Sequence, residues 1–316
     1  MQDLLEDVST LNLPSGRTLS WKVYGGALEP TSGTEAPAVI FYFHGFPGCC
    51  IEGSFIETEH LQQLNARCIA MDRPGTGKAG YYAERRILDW PGDVLAVADH
   101  LHVRQFYVLG VSGGGPYALA CAHSIPRADG PESQGRLRGV AIASGLYPVT
   151  LPTEGMLLEL KVLLAAGAWL PRFMTGAMLD FSMGRPARNK DPKVLEDTMD
   201  KVMAQRSESE RAAWAKPKVR TTAIESLRGA FWGGGQAMAT ELMLLHDWGF
   251  EIGDIDGKGL RLWHGKLDRN VPFGMAEKAA ELMPSVQTRF SESDGHLSMS
   301  AGHVEEILED LLNGRV

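Results

Sequence analysis

Apolar residues in this chain come in short unbroken runs, separated by turn residues and by longer stretches with helical spacing. The runs at 38–43 (AVIFYF), 106–111 (FYVLGV) and 137–143 (LRGVAIA) each hold at most one charged residue. That pattern predicts strands covered on both faces, as in a parallel sheet. Further strand signals fall at 17–24, after the turn Pro14-Ser15-Gly16, at 67–71, and later at 260–264 and 285–291. Helical spacing is predicted over 55–65, over 89–101 through Val94, Val97, Ala98 and Leu101, over 115–124 and over 302–312. Strands alternating with helices predict a doubly wound, mostly parallel α/β sheet. The rhythm breaks once. Residues 146–250 are rich in Met, Leu, Ala and Trp and lack a clear β-branched run. Four to six helices are expected there, with breaks near Pro171, 184–186, Pro217 and 233–235. The expected organisation is therefore a core built from 1–145 and 251–316, with a helical cap inserted as 146–250. No internal repeat or low-complexity tract interrupts it.

Composition narrows the function classes. The chain has 316 residues, 44% hydrophobic and 22% charged, enough to bury a sizeable core. With 31 Lys+Arg against 39 Asp+Glu and a formal charge of −8, it has no concentrated positive face for nucleic acid or anionic membrane. The basic stretches at Arg85-Arg86 and 185–190 are short and mixed, and read as solvated surface. The four cysteines, Cys49, Cys50, Cys68 and Cys121, form no CxxC pair. Cys68 and Cys121 stand in apolar runs and are expected to be buried free thiols. Residues 1–7 lack the order of a signal peptide. The longest apolar stretch, 156–170, is too short for a membrane span and contains Glu159 and Lys161. The expectation is a cytoplasmic protein that acts on a small molecule.

The chemistry gathers at predicted strand ends. Gly110-Val111-Ser112-Gly113-Gly114 is a G-x-S-x-G element between an apolar strand and a helix. Small residues there allow a sharp turn that lifts the Ser112 hydroxyl out of the sheet. A serine needs a base to take its proton, and Asp294-Gly295-His296 lies between the last predicted strand and the last helix. The strand at 260–264 leads to Asp268, a candidate acid to hold the imidazole tautomer. Asp294, close to His296 in a tight loop, reads as a turn cap, with Asp256 next in line. An oxyanion formed on the substrate needs N–H donors. Gly113 follows the nucleophile, and in His44-Gly45-Phe46-Pro47-Gly48 the choice is Phe46, because Pro47 has no N–H. His44 is expected to organise this loop. All of these candidates lie in the two core segments, and none lies between 146 and 250. No pair of histidines has metal-ligand spacing with a partner carboxylate, so no metal is expected, and nucleophile, base and donors from the chain itself call for no cofactor.

HGFPG at 44–48, DRPGTG at 72–77, GVSGGG at 110–115, GKLDRNVP at 265–272 and DGH at 294–296 resemble the α/β-hydrolase superfamily. The similarity is to its capped branch of proline iminopeptidase-like and meta-cleavage-product hydrolases. It covers both core segments in order and implies the α/β-hydrolase fold, with Ser112, Asp268 and His296 as a triad. It also implies that Asp72 supports the loops, and that Ser112 sets the chain apart from epoxide hydrolases and haloalkane dehalogenases, which use aspartate there. The cap carries no matching motif. Trp169, Trp232 and His246 are its candidates for touching substrate. The reading is a serine esterase for a small to medium apolar ester, with lactone, amide, thioester and C–C bonds open on the same machinery. An acyltransferase or lyase, or a ligand-binding receptor on this fold, are the alternatives. Oligomeric state is not legible.

Overall fold

In the computed structural model, which describes residues 5–28, 36–127 and 135–313, alternate residues of the apolar runs point to opposite faces of one sheet. Its eight strands are β1 (Ser9–Asn12), β2 (Thr18–Tyr24), β3 (Ala38–Phe43), β4 (Ala66–Met71), β5 (Phe106–Val111), β6 (Leu137–Ala143), β7 (Leu260–Gly265) and β8 (Gln287–Ser291). They lie in the order β1-β2-β4-β3-β5-β6-β7-β8. The pairs β1–β2 and β2–β4 are antiparallel, and every pair from β4 across to β8 is parallel. This is the α/β-hydrolase fold.

The helices of the first core segment are α1 (Thr58–Gln63), α2 (Trp90–His100) and α3 (Gly115–Ser124). Between β6 and β7 come α4 (Leu158–Trp169), α5 (Arg172–Leu179), α6 (Arg185–Ala187), α7 (Lys193–Met203), α8 (Glu208–Trp214), α9 (Pro217–Ala230) and α10 (Gln236–Leu244), with no strand among the described residues. After β7 follow α11 (Phe273–Leu282), α12 (His296–Gly302) and α13 (Val304–Leu312). Phe41, Phe43, Val108, Ile142 and Leu262 pack with residues of α2, α3 and α11 on one face. Ile40, Tyr42, Leu109, Ala141 and Ala143 pack with Ile307, Leu308 and Leu311 on the other. A strand with helices on both sides has no polar face to show, which is why these runs look continuous rather than alternating. Truncating a fully buried ring such as Phe43 would cost about 3–5 kcal/mol.

Several elements differ from the expectation. β1 is a four-residue edge strand with mostly exposed residues, too short for a period to register. The helix expected over 55–65 is reduced to α1, preceded by a 3-10 turn at Cys50–Phe55. α11 has no clear signal in the sequence; it buries only Met275, Ala276 and Ala279 on a narrow face. The closing helix expected over 302–312 is α13, and a further short helix, α12, precedes it with His303 between them. No break occurs at 184–186: a π turn at Asp180–Gly184 runs into α6, which contains Pro186. All four cysteines are free and buried. Among the described residues no helix is long and apolar enough to cross a membrane. Residues 1–4 of the N-terminal stretch lie outside the described residues.

The inserted helices are tied to the core through charge. Arg73, after β4, pairs with Glu241 of α10 at 2.6 Å, both side chains fully buried. The same guanidinium donates to the carbonyls of His44 and Gly45 at 2.6 and 2.8 Å. Arg85 lies 3.6 Å from the other oxygen of Glu241, so it is removal of Glu241 that leaves buried charge uncompensated, a loss of about 3–5 kcal/mol.

Candidate active site

β5 ends at Val111, and Ser112 stands in the left-handed region with φ of 51° before a 3-10 turn leads into α3. The turn is tight enough that small residues are obligatory around it. A Cβ on Gly110 would lie 2.7 Å from Cβ of Ala118, and one on Gly114 would collide with the Phe43 carbonyl. The sequence thus folds locally so that Ser112 breaks the strand direction and offers its hydroxyl above the sheet edge.

Parallel pairing brings the ends of β5, β7 and β8 to that edge. His296, the first residue of α12, places Nε2 at 2.8 Å from Ser112 Oγ. Its Nδ1 is 2.7 Å from Oδ2 of Asp268, in the loop after β7. A carboxylate only accepts, so Nδ1–H donates to Asp268 and Nε2 is left to accept from the serine hydroxyl. Asp268 is held in turn: its Oδ1 accepts the N–H groups of Asn270 and Val271 at 2.8 and 2.9 Å. His264 donates to the Val271 carbonyl at 2.9 Å. Asp294 faces elsewhere, accepting from Ser291 Oγ at 2.6 Å and from His303 at 3.1 Å. Asp256 accepts the N–H of Lys258 in the turn before β7, at the opposite end of that strand.

The loop after β3 closes the other side. A Cβ on Gly113 would lie 2.6 Å from Cβ and 3.1 Å from N of Phe46, so these two backbones face each other beside Ser112. His44 Nδ1–H donates to the Gly45 carbonyl at 2.8 Å and its Nε2 accepts the Arg73 N–H at 3.3 Å. Burial, with the Arg73 charge nearby, holds the His44 imidazole well below its usual range, hence neutral. Asp72 accepts from Ser20 Oγ at 2.6 Å and from the Cys50 N–H at 2.7 Å, anchoring the turn that follows this loop.

Residues 40–309 match the family described as the alpha/beta hydrolase family. This chain belongs to that family. No curated protein sequence matches it. Solved structures similar to it include a hydrolase from Pseudomonas aeruginosa, at 16% identity and TM-score 0.62, over 97% of this chain and 98% of that one. The esterase EaEST from Exiguobacterium antarcticum aligns at 16% identity and TM-score 0.61, over 96% of this chain and 99% of its own. Est816, described as an N-acyl homoserine lactone degrading enzyme, aligns at 18% identity and TM-score 0.61, over 98% of this chain and 100% of its own.

In this family member a cavity of about 270 Å³ opens over Ser112 and His296. Its walls are mainly apolar: Leu160, Leu163 and Leu164 of α4, Ala223 and Leu227 of α9, and Leu242 and Leu245 at α10. Phe46 and Gly113 also line it. Trp169, Trp232 and His246 do not. Leu158, Val162, Ala165 and Trp169 form the outward stripe of α4, opposite the cavity, and Trp169 is 85% exposed. Trp232 lies beside Gly75 and Tyr81 on another part of the surface. His246 spends Nε2 on the Leu164 carbonyl at 2.9 Å. The inner face of α4 is aliphatic, so aromatic content was the wrong guide to its cavity side.

Two carboxylates at the site carry no signal in the sequence. Glu52 lines the cavity and is buried, its Oε1 accepting the Gly45 N–H at 2.7 Å and the Tyr42 hydroxyl at 3.0 Å. Burial raises its pKa above the usual carboxylate value, against the opposing pull of the Gly45 N–H, Tyr42 and Arg73. Glu210 of α8 accepts the Ser298 N–H at 2.9 Å. Neither lies in a recognisable motif. Burial by itself would lower the His296 pKa, but the charge and hydrogen bond of Asp268, with Glu210 and Glu52 adding, outweigh it, and the net shift is upward from 6.5.

Proposed function

We propose that this protein is a serine hydrolase that cleaves carboxylic esters of apolar acids through an acyl-enzyme. The observation that carries this reading is the hydrogen-bonded chain from Ser112 through His296 to Asp268, opening into an apolar cavity. Ser112 Oγ attacks the ester carbonyl carbon while His296 Nε2 takes its proton. The carbonyl oxygen, now an oxyanion, is received by the N–H groups of Phe46 and Gly113. Collapse breaks the bond to the leaving alcohol, which takes the proton from His296. Water then attacks the acyl carbon, His296 again accepting a proton, and the acid leaves as Ser112 regains its hydrogen. Asp268 holds the tautomer and stabilises the imidazolium throughout. The helices α4–α10 act as a cap that shields this chemistry from bulk water. One structural neighbour is named an esterase, which supports that bond class.

The test is a p-nitrophenyl ester series from acetate to laurate, together with a fluorophosphonate probe. Stoichiometric labelling of Ser112 and hydrolysis that rises with acyl length until the cavity is filled are expected. A folded protein that neither labels nor hydrolyses any member ends this reading. Each methylene buried in the cavity contributes about 0.8 kcal/mol, or roughly fourfold in kcat/KM. Ala223→Phe, which fills part of the cavity, is expected to shift the preferred ester to shorter chains by two or so methylenes, about 15-fold lost on the long ones. Trp169→Ala leaves the chain-length profile unchanged, because its ring faces solvent.

The base must be neutral to accept a proton, and the three carboxylates raise its pKa above 6.5. Below that raised value the imidazolium predominates and kcat/KM falls by about tenfold per pH unit. The acid limb of the kcat/KM profile is therefore expected above, not below, the value of a free imidazole. A limb centred under 6.5 contradicts the assignment of these carboxylates to His296.

A further inference from the structure

The segment that presents His296 is gripped from two sides. From the sheet, Ser144 Oγ, at the end of β6, donates to the His296 carbonyl at 3.0 Å. From the inserted helices comes Glu210, on α8, a buried carboxylate with 6% of its surface exposed. Its Oε1 accepts the Ser298 N–H at 2.9 Å. Ser298 stands in the first turn of α12, where N–H groups have no acceptor within their own helix. The Ser298 hydroxyl in turn accepts the Gly295 N–H at 2.8 Å. Glu210 also occupies the space a side chain at 295 would need: a Cβ there would lie 2.8 Å from its Oε1 and 3.0 Å from its Cδ and Cγ. The close approach requires glycine immediately before the base.

We propose that Glu210 is a positioning residue for His296, carried by the inserted helices and acting on the segment that presents the imidazole to Ser112. This rests on the serine-hydrolase reading and extends it, because every other group in the proposed machinery comes from the two core segments. Four titratable groups face the imidazole's surroundings: Asp268 after β7, His264 within β7, Glu52 after β3 and Glu210 on α8. Asp268 bonds the ring directly, and Glu52 is committed to Gly45 and Tyr42. His264 is buried and its pKa is pushed down, so it brings no charge. Of the four, Glu210 is the one that joins an inserted helix to the backbone that carries the base. It contributes a negative charge that favours the imidazolium and a hydrogen bond that sets where the ring lies. The base is thus completed only when α8 is seated on α12.

The experiment compares the full-length protein with Glu210→Gln and Glu210→Ala. The His296 pKa is measured by NMR titration of labelled histidines, its signal assigned by loss in His296→Ala. In parallel, kcat and KM are measured for p-nitrophenyl butyrate across pH. Glutamine keeps an oxygen to accept the Ser298 N–H but carries no charge. It is expected to lower the His296 pKa and move the acid limb to lower pH. Alanine also removes the hydrogen bond, and kcat at the plateau is expected to fall by about ten- to a hundredfold with KM little changed. Glutamine should recover most of that loss. A His296 pKa that is the same in wild type and Glu210→Gln overturns the proposal, and this arm stands even if Glu210→Ala does not fold. Because the titration requires no turnover, it tests Glu210 even in a protein that proves to have no esterase activity, separately from the hydrolase reading.

Discussion

Ser112→Ala is expected to lose fluorophosphonate labelling entirely and to fall in turnover by a factor on the order of 10,000 to 1,000,000. The fold should be unchanged. Ser112 is only partly buried and its hydroxyl bonds His296, so the substitution removes one half-exposed hydrogen bond, about 1 kcal/mol. The left-handed backbone at 112 is shared by the alanine variant, so no new strain enters. His296→Ala should show a turnover loss of similar size, since nucleophile and base act as a unit and their losses do not add. The double variant Ser112→Ala/His296→Ala should therefore be no worse than either single one. The measurement is active-site titration with the probe beside kcat on a p-nitrophenyl ester, with thermal unfolding as the check on fold. A folded Ser112→Ala protein that retains more than about a tenth of wild-type turnover would exclude Ser112 as nucleophile.

Much of this arrangement was legible in the chain. The runs at 38–43 and 106–111 announced buried parallel strands, because a sheet covered on both faces leaves no alternation to hide them. Ser112, Asp268 and His296 could be placed at one edge because each follows a strand of such a sheet, and parallel strands end on the same side. What stayed illegible depends on faces and distances that spacing does not encode. Apart from Glu159 and Lys161, α4 is apolar on both faces, with Leu160, Leu163 and Leu164 at the cavity and Leu158, Val162 and Trp169 outside. No hydrophobic period could tell which stripe looks inward. Glu210 and Glu52 sit among ordinary charged residues, 86 residues before His296 in one case and far earlier in the other, and only burial marks them out. The catalytic candidates that motifs single out all lie outside 146–250, and a lone glutamate on a short helix carries no motif.

Asp268→Asn and Asp294→Asn are expected to separate by roughly three orders of magnitude in kcat, although both are conservative changes. Asp268 Oδ1 accepts two backbone N–H groups, from Asn270 and Val271. An asparagine there must keep its carbonyl oxygen toward those donors, or leave both buried and unsatisfied at a cost of about 1–3 kcal/mol each. Its amide NH₂ is then turned toward His296 Nδ1. A donor facing Nδ1 forces that nitrogen to accept, so the ring proton moves to Nε2. Nε2–H cannot take the proton of Ser112, and the base has the wrong tautomer for the reaction. The loss should be on the order of 10,000-fold. Asp294→Asn meets a different environment. Burial alone would raise the Asp294 pKa, but hydrogen bonds from Ser291, Ser298 and His303 bring it below the usual value. Its oxygens serve the turn before α12, and an amide can still accept from Ser291. A cost of about 1 kcal/mol in stability and less than about tenfold in kcat is expected. Both variants are measured at the pH plateau with a saturating p-nitrophenyl ester and compared by thermal unfolding. If Asp294→Asn proves the more damaging to kcat while Asp268→Asn stays within tenfold of wild type, the acid that orients His296 is Asp294, and the hydrogen bond at 2.7 Å between His296 and Asp268 has no part in the reaction.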